Sequence, residues 1–415
     1  MNKKFVKPNL YTDSICEKIY SMLVILIWCR HSVLPFFRAT LLPFGKVFAD
    51  LLIPSVFVAF IIFSLPALVK RLQLTDLLLY FSVFTLFLLH YCIFPDNRSV
   101  LLQKAPSFLF LCLTYYFIGV KLDIRQLGRW IYIASMVSIW VQVVYALFFT
   151  KMSDSTAGAG DMNLAYIMLP HICWVICNIF EKPSALNIVT AVVGCIFLFS
   201  LGSRGPMLCL LILLILYLLI FKKFKHPLLA RTIIIVAAVL AVVLFAPILD
   251  LFAVISAKFG LSTRIFTRIS ENTFFVSVGR DRIRETLIEG LTAHPGIGLG
   301  ICADRVNAGT YAHNLWLELC YDFGYPLGCT LFLLMAAFII RGIKCSQPGP
   351  ERAFILTMLC ASFLKLFLSG SYLEEPGLYL LLGVCVGAAR RYRTFPPDPS
   401  LMNPDRPNLR QRAAV

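Results

Sequence analysis

Apolar runs close to or longer than the ~18 residues that a bilayer-crossing helix needs recur along this chain. No other feature narrows its fold as much. Backbone in hydrocarbon must satisfy its own hydrogen bonds, so only helices and closed barrels span a membrane. A barrel would show short segments of alternating polarity, and the sequence has none. The chain therefore reads as an all-α, polytopic integral membrane protein. Twelve spans are expected, at 19–35, 47–69, 77–94, 101–120, 129–150, 162–180, 185–201, 206–221, 231–256, 325–341, 353–369 and 374–389. Arg30 and His31 intrude on the first. The composition agrees: 59% of the 415 residues are hydrophobic and 14% charged, against about 25% charged in soluble domains.

The net charge of +16 would suggest nucleic acid in a soluble protein. Here it reads as topology, because Lys and Arg gather in short cytoplasmic segments of membrane proteins. Lys3, Lys4, Lys7 and Lys18 precede the first span; Lys70 and Arg71, then Lys222, Lys223 and Lys225, fall between later ones; Arg390, Arg391 and Arg393 follow the last. Both termini are expected inside, with no nucleic-acid partner. No small-residue cleavage site follows the first apolar run, which reads as a retained span.

Four regions follow. Residues 1–256 hold spans one to nine. Residues 257–324 form one long loop, which faces outward because it follows an odd number of spans. Helix-like spacing in "GRDRIRETLIEGL" predicts that it is folded. Residues 325–389 hold the last three spans, and the Pro-rich tail 390–415 reads as disordered. Most of the 14 cysteines lie in apolar runs and read as small buried hydrophobes. Cys302 and Cys320 fall where they could meet, and spacing alone leaves that open.

Three outward features carry chemistry. In "GSRGP", Arg204 sits between the seventh and eighth spans, against the charge bias. It could snorkel to headgroups, or serve a function, as membrane-edge charge usually does. In "VGRDRIRETLIEGLTAHPGIGLG", Arg280 and Arg284 are four apart and share a helix face. Their planar forks suit phosphate oxygens, whereas Arg282 reads as solvated and balanced by Asp281, Glu285 and Glu289. The glycines of "HPGIGLG" either let backbone approach a ligand or simply turn, and without a P-loop Lys they are no nucleotide fingerprint. The third feature is "YAHNLWLELCYDFGYPLG". His313, at the start of a helix, is the natural general base at neutral pH. Glu318, five residues on, falls about 140° round that helix, so the two side chains are not adjacent.

The ordered set resembles the O-antigen ligase and polymerase superfamily of bacterial inner-membrane glycosyltransferases. The residues that carry the resemblance are Arg204 in "SRG", Arg280 followed by Pro295 in "HPGIGLG", and His313 in "HN" with Glu318 and Gly324. The resemblance implies a GT-C-like fold and a site on the periplasmic face. It implies metal-independent, cofactor-free transfer of a glycan from undecaprenyl diphosphate to a hydroxyl of lipid A-core or of another lipid-linked glycan. Arg204 and Arg280 would hold the diphosphate, His313 would take the proton of the attacking hydroxyl, and Arg284 and Asn314 would support them. A carboxylate near the last span occurs in some relatives, for which Glu374 and Glu375 are candidates. Asp161 could meet sugar hydroxyls or cap a helix. A ligase is expected; a repeat-unit polymerase shares the donor chemistry, and a transporter or flippase is the alternative of another class.

Overall fold

The structure, a computed structural model, describes residues 18, 20–29, 55, 59, 62, 63, 69, 73–148, 158–201, 203–217 and 280–394. Among these residues the regular elements are all helical and no strand occurs. In chain order they are α1 (Tyr20–Cys29), α2 (Leu74–Ile93), α3 (Pro95–Lys121), α4 (Ile124–Phe148), α5 (Gly158–Glu181), α6 (Ala185–Ser200) and α7 (Arg204–Leu216). Then follow α8 (Arg280–Ala293), α9 (Ala303–Ala308), α10 (Leu315–Cys345), α11 (Pro350–Met358) and α12 (Pro376–Thr394).

Five helical stretches among the described residues are long and apolar enough to cross a membrane: α2, α3, Leu127–Tyr145 of α4, Asn163–Glu181 of α5, and α10. Helices α1, α6 and α7 are apolar but shorter. The span expected at 231–256 lies outside the described residues, and that at 47–69 is described only at scattered positions. The span expected at 353–369 is an interrupted helix. α11 passes into a π-helical turn, Leu359–Phe363, and then a 3-10 turn, Leu364–Phe367. α12 begins only at Pro376 and ends among Arg390, Arg391 and Arg393.

The core forms around α5, which packs against α4, α6, α7 and α11. Trp174 is buried there and meets the ring of Phe354 at 5.8 Å, and Trp28 meets the same ring at 5.3 Å. α12 lies along α3 and α10. α2 leaves Leu77, Leu78, Phe81, Phe84, Leu88 and Leu89 exposed, as a face turned to lipid does, since acyl chains are as apolar as leucine. α3 is interrupted by a π-helical segment, Ser107–Cys112, immediately after Pro106, because proline supplies no N–H to the helical ladder and its ring crowds the preceding turn.

A second, smaller cluster outside this core holds Leu287 and Leu291 of α8, Ala303 of α9, and Leu317 and Tyr321 of α10. It joins α8 and α9 to the N-terminal turns of α10. The boundary expected at residue 324 falls inside α10, which continues through it with a break at Gly324 (φ 75°, ψ 167°). The glycine-rich strap 295–300 packs into that break. Tyr325 N donates to the Pro295 carbonyl at 2.9 Å, Leu299 N to that of Tyr321 at 2.9 Å, and Gly300 N to that of Asp322 at 3.0 Å. A Cβ on Gly298 would lie 2.4 Å from the nitrogen of Gly324, closer than any side chain permits. The strap's glycines therefore approach the protein's own backbone. Asn97 Nδ2 donates to the Leu299 carbonyl at 2.8 Å and Ile301 N to His90 Nδ1 at 3.0 Å, tying the strap to α2 and α3 as well.

Candidate active site

α8 opens with Arg280, whose Nη1 donates to the carbonyl oxygen of Leu368 at 2.8 Å. That carbonyl lies just past the interrupted end of α11, so the break there leaves an acceptor that an intact helix would use itself. Leu368 also borders the start of α7. A Cβ placed on Gly205 would meet the Tyr166 hydroxyl at 1.9 Å and Cβ of Leu368 at 3.6 Å. Arg204 is the first residue of α7, after the buried Ser203 and one position before that glycine.

His313 stands in the turn before α10. Its backbone is left-handed (φ 54°), a conformation that non-glycine residues adopt only where their surroundings impose it. Those surroundings are visible. Ala312 N donates to Asp304 Oδ2 at 3.0 Å. Asn314 caps α10, its side chain accepting from Leu317 N at 3.1 Å. The Tyr311 ring packs on the imidazole with centroids 4.1 Å apart. Burial, and then the charge of Arg280, lower the pKa of His313 to about 4. The imidazole is therefore neutral at physiological pH. Its Nδ1 is buried and makes no hydrogen bond, which is uncommon for a buried polar atom.

The turn is anchored by Arg305, which sequence reasoning missed. Its Nη1 donates to Asp304 Oδ1 at 2.8 Å and to Glu318 Oε1 at 3.3 Å, and its Nη2 to Ser371 Oγ at 2.6 Å. Its guanidinium carbon lies 6.0 Å from the Tyr311 ring centroid. Ser371 Oγ and Tyr372 N in turn donate to Glu318, and the Tyr372 hydroxyl donates to Asp322 Oδ2 at 2.7 Å. Burial raises the pKa of Asp304, and Arg305 pulls it back. One guanidinium thus holds together α9, α10 and the segment before α12.

The expected site residues divide accordingly. Arg280 and His313 are brought together, and Arg204 stands at the start of α7 beside Gly205. Arg284, one turn along α8, is exposed. Asn314 is a helix cap. Glu318 is fully buried in the Arg305 cluster, a placement that suits an internal ion pair and gives a ligand no access. Glu374 meets Lys104 and Arg305, the latter at 3.6 Å. Glu375 pairs with Lys365. The side chain of Asp161 lies outside the described residues. Cys302 and Cys320 are both free thiols, and the sulfur nearest Cys320 is that of Cys329, at 3.8 Å. Lys365 is a second residue that the sequence reading passed over. It lies in the 3-10 turn after α11, with Nζ 5.4 Å from the Tyr166 ring centroid. A lone lysine in an expected span was a signal of function in itself. No group of three or more His, Cys, Asp or Glu among the described residues is placed to hold a metal ion.

Residues 189–333 match the family model described as O-antigen ligase. The resemblance to the O-antigen ligase and polymerase superfamily holds over that segment. The matched segment contains Arg204, Arg280, Arg305 and His313. It supports glycan transfer of the ligase or polymerase kind, with lipid-linked glycans as substrates in general. Together with the apolar helices it supports a multi-pass membrane protein. Neither the curated proteins nor the solved structures gave a match.

Proposed function

We propose that the protein is an O-antigen ligase, transferring a glycan from undecaprenyl diphosphate to a hydroxyl of lipid A-core at the periplasmic face of the inner membrane, without a metal. The observation that carries this reading is the meeting of Arg280 with His313. A cation suited to phosphate stands close enough to lower the pKa of a buried imidazole whose Nδ1 has no partner.

The acceptor hydroxyl donates to the unprotonated ring nitrogen of His313. As its oxygen bonds to the anomeric carbon, the proton passes to the imidazole and the bond from that carbon to the phosphate oxygen breaks. Undecaprenyl diphosphate leaves with the electron pair. Arg280 and Arg204 meet the negative charge growing on it with forked, charge-assisted bonds. A base with a pKa near 4 is weak; burial is the larger cause of that value and the charge of Arg280 the smaller. A bound diphosphate offsets the charge of Arg280 and so raises the pKa of the imidazole part of the way toward the working pH, where a general base is most effective. Donor binding itself then prepares the base.

The test of the acceptor is genetic. Deleting the gene and separating the surface polysaccharide on a gel gives full-length chains retained on the carrier lipid if the protein is a ligase. Single repeats attached to core would overturn the ligase assignment in favour of a polymerase.

A further inference from the structure

The far end of α10 carries a feature that glycan transfer does not use. From its break at Gly324, α10 runs 17 residues to Arg341, or about 26 Å at 1.5 Å per residue, most of the ~30 Å of a hydrocarbon core. There α10 meets α12, Gly342 lying against Cys385. Between the two helices opens a cavity of about 160 Å³, lined by Arg341, Arg390, Arg393, Phe338, Val386 and Ala389.

The lining is two-sided in chemistry. Arg390 reaches Asp76 at 3.6 Å and Gln73 at 3.2 Å. Arg341 and Arg393 are exposed and have no hydrogen-bond or ion-pair partner among the described residues. Of the three guanidiniums only Arg390 meets a carboxylate, and together they repel each other and favour an anion. The floor is apolar, and the apolar surface continues away from the charges. Leu334, Phe338 and Arg341 fall at i, i+4 and i+7 on one face of α10, and Leu334 and Phe338 are exposed. A small inorganic anion would answer the charges and leave this stripe uncovered. A phosphodiester with a hydrocarbon tail answers both.

We propose that this cleft binds one anionic phospholipid. Arg341 and Arg393 fork onto the phosphate, Arg390 adds its charge, and an acyl chain lies along Phe338 and Leu334. The site lies at the other end of α10 from His313, so it is separate from the donor's diphosphate.

The test uses the purified full chain in detergent, titrated with phosphatidylglycerol or phosphatidylcholine and read by native mass spectrometry. One phosphatidylglycerol is expected to remain per chain, at about tenfold lower concentration than phosphatidylcholine requires. R341K/R393K keeps the charges that set topology but removes the fork, and is expected to weaken retention about tenfold. Phe338→Ala is expected to weaken it separately, with an unchanged melting temperature in lipid-free detergent showing that the fold survives. Equal retention of the two lipids, or unchanged retention in both variants, would overturn the proposal. Displacement by millimolar inorganic phosphate, with no effect of Phe338→Ala, would do so as well, since a free anion would then be the ligand.

Discussion

The guanidinium of Arg280 donates at 2.8 Å to the carbonyl oxygen of Leu368, 88 residues further along the chain. This bond joins the first turn of α8 to the broken end of α11 and aims a cation past His313. A lysine cannot copy it, because a single ammonium cannot hold that carbonyl and also fork onto a phosphate. Arg280→Lys is expected to lower transfer by about 10²-fold and to weaken binding of a polyprenyl-diphosphate donor. Wild-type donor affinity in that variant would remove Arg280 from the diphosphate site.

His313→Ala removes the proposed base and leaves normal insertion, because Nδ1 makes no bond that the fold would miss. Transfer by the purified protein in detergent, with no membrane gradient, is expected to fall by about 10² to 10⁴-fold. Full activity would rule out the base. A wild-type protein inactive in this assay but able to flip lipid-linked glycan in vesicles would be a transporter.

The acid limb of the pH profile tests the coupling between donor and base. In the protein without donor His313 titrates at about 4, and kcat/KM reports that state. kcat reports the complex, where the diphosphate offsets Arg280, so its acid limb is expected at higher pH. Stability has its own sign. The unfolded chain binds a proton at this histidine near pH 6.5 and the folded chain only near 4. This group therefore destabilises the fold progressively as pH falls through that window and contributes nothing against it above. His313→Gln is expected to flatten this slope in thermal melts. Coincident acid limbs for kcat and kcat/KM would refute the coupling.

Arg305 is a positioning residue with a large structural share. Its side chain is 8% exposed, and the carboxylates of Asp304 and Glu318 beside it are completely buried. Removing one partner of such a group leaves charge unpaired at a cost of about 3–5 kcal/mol. Arg305→Met is expected to lower the melting temperature sharply. Glu318→Gln should lower it less and leave donor affinity as it was. A donor-binding defect in Glu318→Gln without loss of stability would restore Glu318 to the ligand set.

Much of this was legible in the sequence. Uninterrupted apolar runs dictated helices because nothing else satisfies a backbone in lipid, and α2, α3 and α10 formed where the runs lie. The helix that opens at Arg280 is a local signal and read well, whereas Asn314, expected among the ligand residues, caps α10 instead. The 140° read between His313 and Glu318 assumed one helix, whereas His313 lies before α10 with a left-handed backbone, and the angle could not say what Glu318 would meet. That partner, Arg305, lies in "ADRVN", which has no apolar period and no motif. Its role arises only when α9 packs on α10 and the loop holding Ser371 closes over both. The interruption of α11 was hidden for a similar reason. A run of apolar residues looks alike whether its hydrogen bonds step by four, by five or by three.

The bonds from Pro295, Leu299 and Gly300 to Tyr325, Tyr321 and Asp322 mesh like the teeth of a zip. A residue gained or lost within 295–300 or 321–325 would throw these teeth out of step. Away from the glycines, swapped side chains there are expected to be tolerated where a changed length is not.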